Sequence, residues 1–581
     1  MDNGLWTELI RPGNAYRGMP FWAWNGRLEP EELRRQVRTM HEMGMGGFFM
    51  HSRIGLETPY LSEEWMDCIG ACIDEAKKLG MKAWLYDEDR WPSGYAGGLV
   101  TKNPQFRARK LVLDTFEKAG DFSWTGDVAA AYTAKVDGNK ASAVRRLKKG
   151  RAPTLPKGHS VLVFRVKVDD CSSWYNGFTY LDTMNHKAVK EFIRVTHDAY
   201  ARRFGCEFGK TIQGIFTDEP NVKEYTRTRT PWTDALPKVF RKRYGYDILD
   251  HLPEALFEVD GKKVTPAARD MHDCTTFLFV DAYARQIGDW CRKHGLEHTG
   301  HVLSEETPYS QMKNCGSAMR FYEHMQAPGI DVLTQHMREY DTAKQVSSVA
   351  RQFGWKWRLS ETYGCTGWDF TFEAHKAVSD WQAALGINLR CQHLSFYTMA
   401  GEAKRDYPAS IFFQSPWWRS YPKVEDYFAR INVLMSRGRE VRDILALHPL
   451  ESMWAIPTRD DDARKMLNES HWQLRDTLLA ANLDFDYGDE DILARHGRVI
   501  KKSGRPVLRV GKADYKAVVV SRMLTMRDST LMLLERFRRA GGKVVFAFSA
   551  PEHVDAEPSP AAASLAEKCV AAGGSGKRLI A

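Results

Sequence analysis

Two glutamates at the ends of short apolar runs could act together as a catalytic pair. Glu219 closes the stretch GIFTDEP, and Glu361 follows WKWRLS in the stretch SETYG, 142 residues further along the chain. Cleavage of a glycosidic bond uses two carboxyl groups, one to protonate the departing oxygen and one to activate water or attack the anomeric carbon. Such acids can also bind Ca²⁺ or Mg²⁺, but no compact DxDxDG loop occurs. Acid–base chemistry is therefore the preferred interpretation.

Other polar and aromatic side chains follow the same set of apolar runs. Sugar sites combine carboxylates and imidazoles that bind hydroxyls with aromatic rings that cover the apolar faces of the sugar. Any single acid could instead cap a helix, because the free amides of a helix N-terminus attract acidic side chains. The candidate substrate-binding residues are Asn25, His51, Asp87, Glu88, Arg90, Trp91, Asp218, His301, Glu305, Gln335, Tyr363, Trp368 and Tyr397.

Several candidates have a structural alternative that the sequence leaves open. Arg90 could hold a neighbouring acid in place, and Trp91, which precedes a proline, could pack a loop instead of covering a sugar. Adjacent strand residues face opposite sides. For that reason Gln335 is preferred to His336, and Asp218 is expected to point away from Glu219 and to support it.

The elements that would position these residues predict a (β/α)₈ barrel. From Pro20 to about Ile444, eight short apolar runs alternate with longer helical segments, the pattern of repeated strand and helix units. A β-rich insertion at about 103–182 interrupts the alternation after the third strand. Residues 1–445 are therefore predicted to form a TIM barrel, whose active site would lie where the strands end.

Residues 446–581 are predicted to form a second, smaller α/β domain. Runs such as KAVVVS and GGKVVFAF alternate with helical segments, as in a doubly wound, flavodoxin-like sheet. Neither GxGxxG nor GxxxxGK[ST] occurs, so no nucleotide site is expected there. The chain stops where a further strand would begin, and the domain is expected to be incomplete at its C-terminus.

The composition argues against several other classes of protein. Of 581 residues, 43% are hydrophobic and 27% are charged, with a formal net charge of +9, and no window approaches the roughly 18 apolar residues of a membrane span. The basic clusters lack the interleaved aromatic residues that stack on bases. Neither a nucleic acid nor a membrane is expected as a partner. The ten cysteines show no metal-binding spacing, and the N-terminus lacks a signal-peptide pattern, which predicts a cytoplasmic protein unless a leader has been removed.

The stretches that resemble a known family begin at Pro20. The relevant runs are PFWAWNGRLEPEELRRQVRTMHEMGMGGFFMHSRIGL, YLSEEWMDCIGACIDEAKKLGMKAWLYDEDRWPSGYAGG, FTDEP and LSETYG. Together they resemble glycoside hydrolase family 106, the α-L-rhamnosidases, over about Pro20 to Phe548. The second domain resembles that family's glutamine-amidotransferase-like module. Family members usually continue into C-terminal β-sandwich domains, whereas this chain ends at Ala581.

The resemblance implies an inverting hydrolase that removes a terminal α-L-rhamnose from a polysaccharide or glycoside. Glu219 would be the general acid and Glu361 the general base. No cofactor is required, and the resemblance adds an optional calcium ion at the sugar hydroxyls without identifying its ligands. A retaining β-glycosidase such as a β-galactosidase stays open, as does a non-catalytic carbohydrate-binding relative. The expected partner is a carbohydrate, and assembly into a homo-oligomer is a further open alternative.

Overall fold

The computed structural model describes residues 3–226, 228–335, 337–457 and 461–580. Its largest sheet contains nine strands that pair in parallel. They are β1 (Phe21–Gly26), β2 (Gly47–Leu56), β3 (Lys82–Tyr86), β4 (Ile212–Asp218), β5 (Glu297–His301), β6 (Ala327–Val332), β7 (Leu359–Thr362), β8 (Leu389–Gln392) and β9 (Ser395–Phe396).

Strands β8 and β9 together take the place of the eighth barrel strand. β8 pairs with β7, whereas β9 pairs with β1, so the sheet closes on itself through two short segments that are separated by His393 and Leu394. The predicted (β/α)₈ barrel is confirmed, with its last strand divided in two.

Helices follow the strands and cover the outside of the barrel. Glu63–Leu79 illustrates why they form where they do: Ser62 caps its first turn by accepting a hydrogen bond from the Trp65 amide, and Gly80 ends it with φ of +65°. Within the described ranges, no helix has the length and apolar character needed to cross a membrane. The barrel helices are Pro30–Glu42, Glu63–Leu79, His186–Val195, His197–Phe204, Pro266–Phe279, Gln286–Lys293, Pro308–Asn314, Ala318–Tyr322, Tyr340–Phe353, Phe372–Ala384 and Pro422–Met435.

An aromatic layer fills the interior of the barrel. The rings of Phe49 and Trp84 stack with centroids 5.1 Å apart, and Phe21 meets Phe216 edge to face at 4.6 Å. All four side chains are buried, and contacts of this kind add to the free energy gained from burying apolar area. The polar residues at the strand ends therefore rest on a closely packed aromatic core.

The β-rich insertion forms an antiparallel sheet that is larger than predicted. Its strands Arg109–Phe116, Val128–Asp137, Lys140–Arg146 and Ser160–Val168 lie within the expected segment. Two further strands, Arg229–Trp232 and Glu258–Val259, join it from the chain that follows β4. They are only four and two residues long, which is too short for an alternating pattern to show in the sequence.

A second parallel sheet contains the strands Ile444–Leu447, Phe485–Gly488, Ala517–Val520, Lys543–Phe546 and Val570–Ala571. Counted along the chain, their spatial order is 2-1-3-4-5, which is the order of flavodoxin-like sheets. The first strand spans 444–447, so it crosses the boundary that was placed after residue 445. The accompanying helices are Leu450–Trp454, Asp461–Ala480, Glu490–His496, Asp528–Arg539 and Ala561–Ala566.

A buried cluster of charges joins the second sheet to the barrel. Arg320, from the barrel helix Ala318–Tyr322, contacts Asp273 and Glu451 at 2.7 Å and Asp489 at 2.9 Å. Glu451 and Asp489 follow the first two strands of the second sheet, at the crevice where sheets of this type bind ligands. An arginine of the barrel therefore fills the crevice in this protein.

Candidate active site

An open cleft with about 440 Å³ of empty space lies at the carboxyl ends of the barrel strands. Both predicted catalytic glutamates line it. Four carboxyl groups, one guanidinium group and several apolar or aromatic side chains surround the space, which is a suitable lining for a sugar ring. The lining residues are Phe21, Arg53, Trp91, Asp218, Glu219, Asp331, Leu333, Glu361, His393 and Tyr407.

The end of β4 brings two adjacent acids to the cleft. Glu219 has φ of +48°, in the left-handed region that non-glycine residues seldom adopt. The Glu219 amide donates to the His301 carbonyl at 3.1 Å, which fixes this turn. Because the backbone leaves the extended conformation here, the alternation of strand side chains stops. The expectation that Asp218 points away from Glu219 is wrong for this reason, since both residues line the cleft.

The surroundings of Glu219 favour its protonated form. Burial and then the negative charge of Asp218 raise the pKa of Glu219 to about 7. Among the residues that the structure describes, none donates a hydrogen bond to this carboxyl group. At neutral pH a substantial fraction of Glu219 therefore carries a proton that it can donate.

Glu361 is surrounded differently, because it has a hydrogen-bond donor. His301 Nε2 lies 2.9 Å from Glu361 Oε2 and 3.6 Å from Asp218 Oδ1. Burial lowers the pKa of His301, but the charges of Asp331 and Asp218 outweigh it and the pKa is raised. Burial and the charges of Asp218 and Glu219 raise the pKa of Glu361 well above its ordinary value, and the charge of Arg53 opposes that rise. A protonated His301 opposes that rise by stabilising the ionised carboxylate.

Asp331 and Glu361 are neighbours across β6 and β7. One Asp331 oxygen is buried and has no hydrogen-bond partner among the described residues. The Asp331 amide donates to Glu305 Oε1 at 2.6 Å, and Glu305 Oε2 accepts from the Tyr322 hydroxyl at 3.0 Å. Glu305, which was predicted to bind substrate, is absent from the cleft lining. Its carboxylate holds the backbone of Asp331 instead.

The loop after β3 is built around two of the predicted substrate-binding acids. The Glu88 carboxylate accepts four backbone N–H groups, from residues 89, 94, 96 and 97, at 2.7 to 2.8 Å. Asp87 accepts from the Ser93 hydroxyl at 2.6 Å, and Ser93 Oγ accepts from the Asp218 amide at 2.8 Å. Neither acid lines the cleft, because both are bonded inside the loop. In this structure both acids position the loop and Asp218, and their contact with substrate stays a prediction.

Trp91 lines the cleft and packs against Arg53, which was not among the predicted site residues. The Arg53 guanidinium lies 4.4 Å from the centre of the Trp91 ring and 5.6 Å from that of Tyr407. Arg53 Nη1 lies 3.3 Å from Nε2 of the buried His51. Burial and the Arg53 charge lower the pKa of His51 well below its ordinary value, so the ring is neutral and accepts this bond. His51 therefore positions the Arg53 guanidinium, and its own side chain does not line the cleft.

Three other predicted substrate-binding residues are bonded to the protein instead. The Asn25 side chain exchanges two hydrogen bonds with the backbone of Thr398, at 2.9 and 3.1 Å. The Tyr397 hydroxyl accepts from the Glu29 amide. The Tyr363 hydroxyl donates to the His375 carbonyl at 3.2 Å, inside the core. Each polar group therefore has a structural partner, and substrate contact by these three residues stays a prediction.

The remaining candidates lie outside the cleft lining. Arg90 pairs with Asp89 and donates to Asn176, which agrees with the structural alternative. Trp368 is 44% exposed, and its indole donates to the Lys404 carbonyl at 3.3 Å. Gln335 is exposed, three residues past the end of β6. His336 lies outside the described residues.

The sequence prediction missed six cleft residues: the apolar Phe21 and Leu333, and the polar Arg53, Asp331, His393 and Tyr407. The apolar run DVLTQH, which marks the sixth strand in the sequence, begins four residues after the true start of β6, because Pro328 and Gly329 weaken the strand pattern there. Correct placement would have identified Asp331 as a strand-end acid. Arg53 and His393 follow apolar runs and could have been found in that way, whereas Tyr407 lies in a loop without such a signal.

Asp218, His301 and Glu361 also form a group whose potential ligand atoms all lie within 4.8 Å of one another. This group does not fit calcium, which binds six to eight oxygen atoms, because one of the three ligands is an imidazole nitrogen that already contacts both carboxylates. Calcium binding therefore stays a prediction from the family resemblance. A calorimetric titration with CaCl₂ would test it.

Comparison with solved structures shows the same architecture in other proteins. A rhamnosidase from Novosphingobium sp. PP1Y superposes with a TM-score of 0.70 and 15% identity, over 99% of this chain and 72% of that chain. A β-galactosidase from Rahnella sp. R3 superposes with a TM-score of 0.56 and 13% identity, over 94% of this chain and 73% of that chain. At these identities the likeness shows the fold alone.

Comparison of sequences identifies the family. A protein of Formosa agariphila named "Putative beta-glucuronidase" is 24% identical over 508 residues, which cover 75% of this chain and 42% of that protein. This chain thus spans about two fifths of the length of that relative. The glycoside hydrolase family 106 model, described as alpha-L-rhamnosidase, matches residues 171–571, a range that includes both catalytic candidates, Glu219 and Glu361. The chain belongs to glycoside hydrolase family 106.

Proposed function

We propose that this protein hydrolyses the bond to a terminal α-L-rhamnose in a polysaccharide or glycoside, with inversion at the anomeric carbon. Glu219 acts as the general acid and Glu361 as the general base. One observation carries the assignment: both glutamates line one cleft, but only Glu361 has a hydrogen-bond donor, His301, among the described residues.

Glu219 suits the acid step because it can hold its proton near neutral pH. Its pKa is raised to about 7, and a general acid works best when its pKa is close to the working pH. In the reaction Glu219 protonates the glycosidic oxygen as the bond to the anomeric carbon breaks, so the leaving group departs as a neutral alcohol.

Glu361 suits the base step because His301 stabilises its ionised form. Glu361 removes a proton from a water molecule that attacks the anomeric carbon from the side opposite the leaving group. Asp331 lines the cleft beside Glu361, where its carboxyl group can bind a sugar hydroxyl. The aromatic rings of Phe21 and Trp91 give the apolar faces of the sugar a surface to contact.

A panel of aryl glycosides tests the substrate and the two roles together. We expect hydrolysis of the α-L-rhamnoside, and losses of about 10²- to 10⁴-fold in kcat for Glu219→Gln and Glu361→Gln. Glu224→Gln is the matched control, because Glu224 is an exposed acid on the chain just after Glu219. Unchanged turnover in both active-site variants would show that the assignment is wrong.

The anomer released first, observed by proton NMR, distinguishes the mechanisms. Inversion is the expected result. Release of the retained anomer would make Glu361 a nucleophile and the protein a retaining glycosidase, the mechanism kept open above for a β-galactosidase-like enzyme. Sugar binding without turnover of any glycoside in the panel would identify a carbohydrate-binding relative.

A further inference from the structure

The cleft contains a buried arginine whose binding groups are already occupied by an acid of the same chain. Arg53 Nε and Nη2 donate to the two carboxylate oxygens of Asp406, each at 2.7 Å. This paired, parallel arrangement is the one that arginine makes with the carboxylate of a bound ligand. Asp406 thus occupies the position that the carboxylate of an acidic sugar would take.

Arg53 has little freedom to turn toward a different partner. Its side chain is 3% exposed, lies over the ring of Trp91 and is contacted from below by His51. Asp406 is on the loop after β9, where its amide donates to the Glu402 carbonyl at 2.9 Å. A ligand carboxylate would have to displace Asp406, because Arg53 cannot move to meet it elsewhere.

The other described residues that line the cleft provide no second positive charge for the carboxylate of an acidic sugar. Among the described residues that line the cleft, Arg53 is the only permanently charged cation. Burial and the charge of Arg53 lower the pKa of His393 well below its ordinary value, so that this ring is neutral. Asp218, Glu219, Asp331 and Glu361 add four carboxyl groups. A fifth carboxyl, brought in by a ligand, would be repelled by those that are ionised.

We propose that Asp406 is a specificity-determining residue, which makes the cleft select neutral sugars and exclude uronic acids by occupying the guanidinium of Arg53. The inference rests on the proposed function in one respect, namely that this cleft is the sugar site.

Binding of two matched ligands tests the proposal. Methyl 1-thio-α-L-rhamnoside and its counterpart with a carboxylate at C6 differ only in the group that Asp406 is inferred to exclude. Their sulfur-linked glycosidic bond resists hydrolysis, so calorimetry gives both dissociation constants without turnover. We expect wild type to bind the neutral ligand at least about tenfold more tightly. In Asp406→Asn the ratio of the two constants should shift at least about tenfold toward the carboxylate, because the charged competitor is gone.

Three variants make the result specific to the Arg53–Asp406 pair. Glu402→Gln removes an exposed acid from the same loop and should leave the ratio unchanged. Arg53→Gln combined with Asp406→Asn should abolish the gain, since the receiving guanidinium is lost. Asp406→Ser provides a second test in case Asp406→Asn folds poorly, and melting temperatures check both.

The possible outcomes separate this proposal from the proposed function. Equal binding of the two ligands by wild type, or an unchanged ratio in a folded Asp406 variant, would overturn the role of Asp406 even if rhamnosides are hydrolysed. Conversely, the expected shift in a protein that hydrolyses no rhamnoside would leave the role of Asp406 standing and remove the proposed function. Binding of neither ligand would overturn both.

Discussion

Replacing His301 tests the proposed chemistry most directly, because this residue touches Glu361 and lies beside Asp218. His301→Leu removes the only donor to the Glu361 carboxylate among the described residues. A hydrogen bond to a charged group contributes about 1.5–3 kcal/mol, and each 1.36 kcal/mol corresponds to tenfold in rate. The expected loss in kcat/KM for the aryl α-L-rhamnoside is therefore about 10- to 150-fold.

The pH profile of His301→Leu should also move in a defined direction. Glu361 must be ionised to act as a base, and losing its donor raises its pKa, so the acidic limb of kcat/KM moves to higher pH. Glu219 must be protonated, and the charge of His301 lowers its pKa, so the alkaline limb moves to higher pH as well. Both limbs shift the same way.

Two further variants control for effects on folding. His301→Gln keeps an uncharged donor and should recover part of the rate without restoring the limbs. His298→Leu changes a buried histidine of the same strand that does not line the cleft, and should leave the profile in place. If kcat/KM of a folded His301→Leu stayed within threefold of wild type with both limbs unmoved, the proposed role of His301 would be refuted.

Three more predictions concern Glu219, the loop after β3 and the joint between the sheets. Glu219→Gln should remove the alkaline limb of the pH profile near pH 7. It should also slow hydrolysis of a dinitrophenyl rhamnoside far less than that of an alkyl rhamnoside, because dinitrophenolate is the better leaving group and needs no proton. Similar losses of rate on both substrates would contradict the acid role. Glu88→Gln should lower the melting temperature and expose the loop to proteolysis, since an amide cannot accept all four N–H groups and each charged hydrogen bond lost costs about 1.5–3 kcal/mol. The exposed Glu57 supplies its control, Glu57→Gln. Arg320→Met should destabilise the protein by about 3–5 kcal/mol, because it leaves three buried carboxylates without this partner. Calorimetry would then show an unfolding transition at lower temperature. An unchanged transition would mean that Arg527, which also contacts two of these carboxylates, is enough to stabilise the cluster.

Much of the barrel was predictable from local sequence patterns. Strands β1 to β4 each coincide with a short apolar run of the sequence. Helices with a serine cap and a terminal glycine, such as Glu63–Leu79, are specified by their own residues. The sixth and eighth strands were harder. Pro328 and Gly329 weaken the pattern of the sixth strand. The eighth strand is divided into β8 and β9, which pair with different neighbours, and this division is a property of barrel closure and not of any local pattern.

The candidate site was predictable only in its outline. Glu219 and Glu361 could be paired through their positions at two strand ends, because a barrel brings all strand ends to one rim. The partners of the other acids depend on contacts between residues far apart in the chain. Glu305 holds the amide of Asp331, and Arg53 meets Asp406 across 353 positions. No local pattern distinguishes such acids from acids that face a ligand.

Because of the backbone conformation of Glu219, thermal stability and catalytic activity favour different residues at this position. Its φ of +48° suits glycine or asparagine better than glutamate, and a non-glycine residue held there costs on the order of 1 kcal/mol. Glu219→Gly relieves this strain, and it also removes a half-buried carboxyl that lies next to Asp218. A search for heat-resistant variants would therefore tend to select changes at this position, and it would do so at the expense of the proton donor that we assign to the reaction.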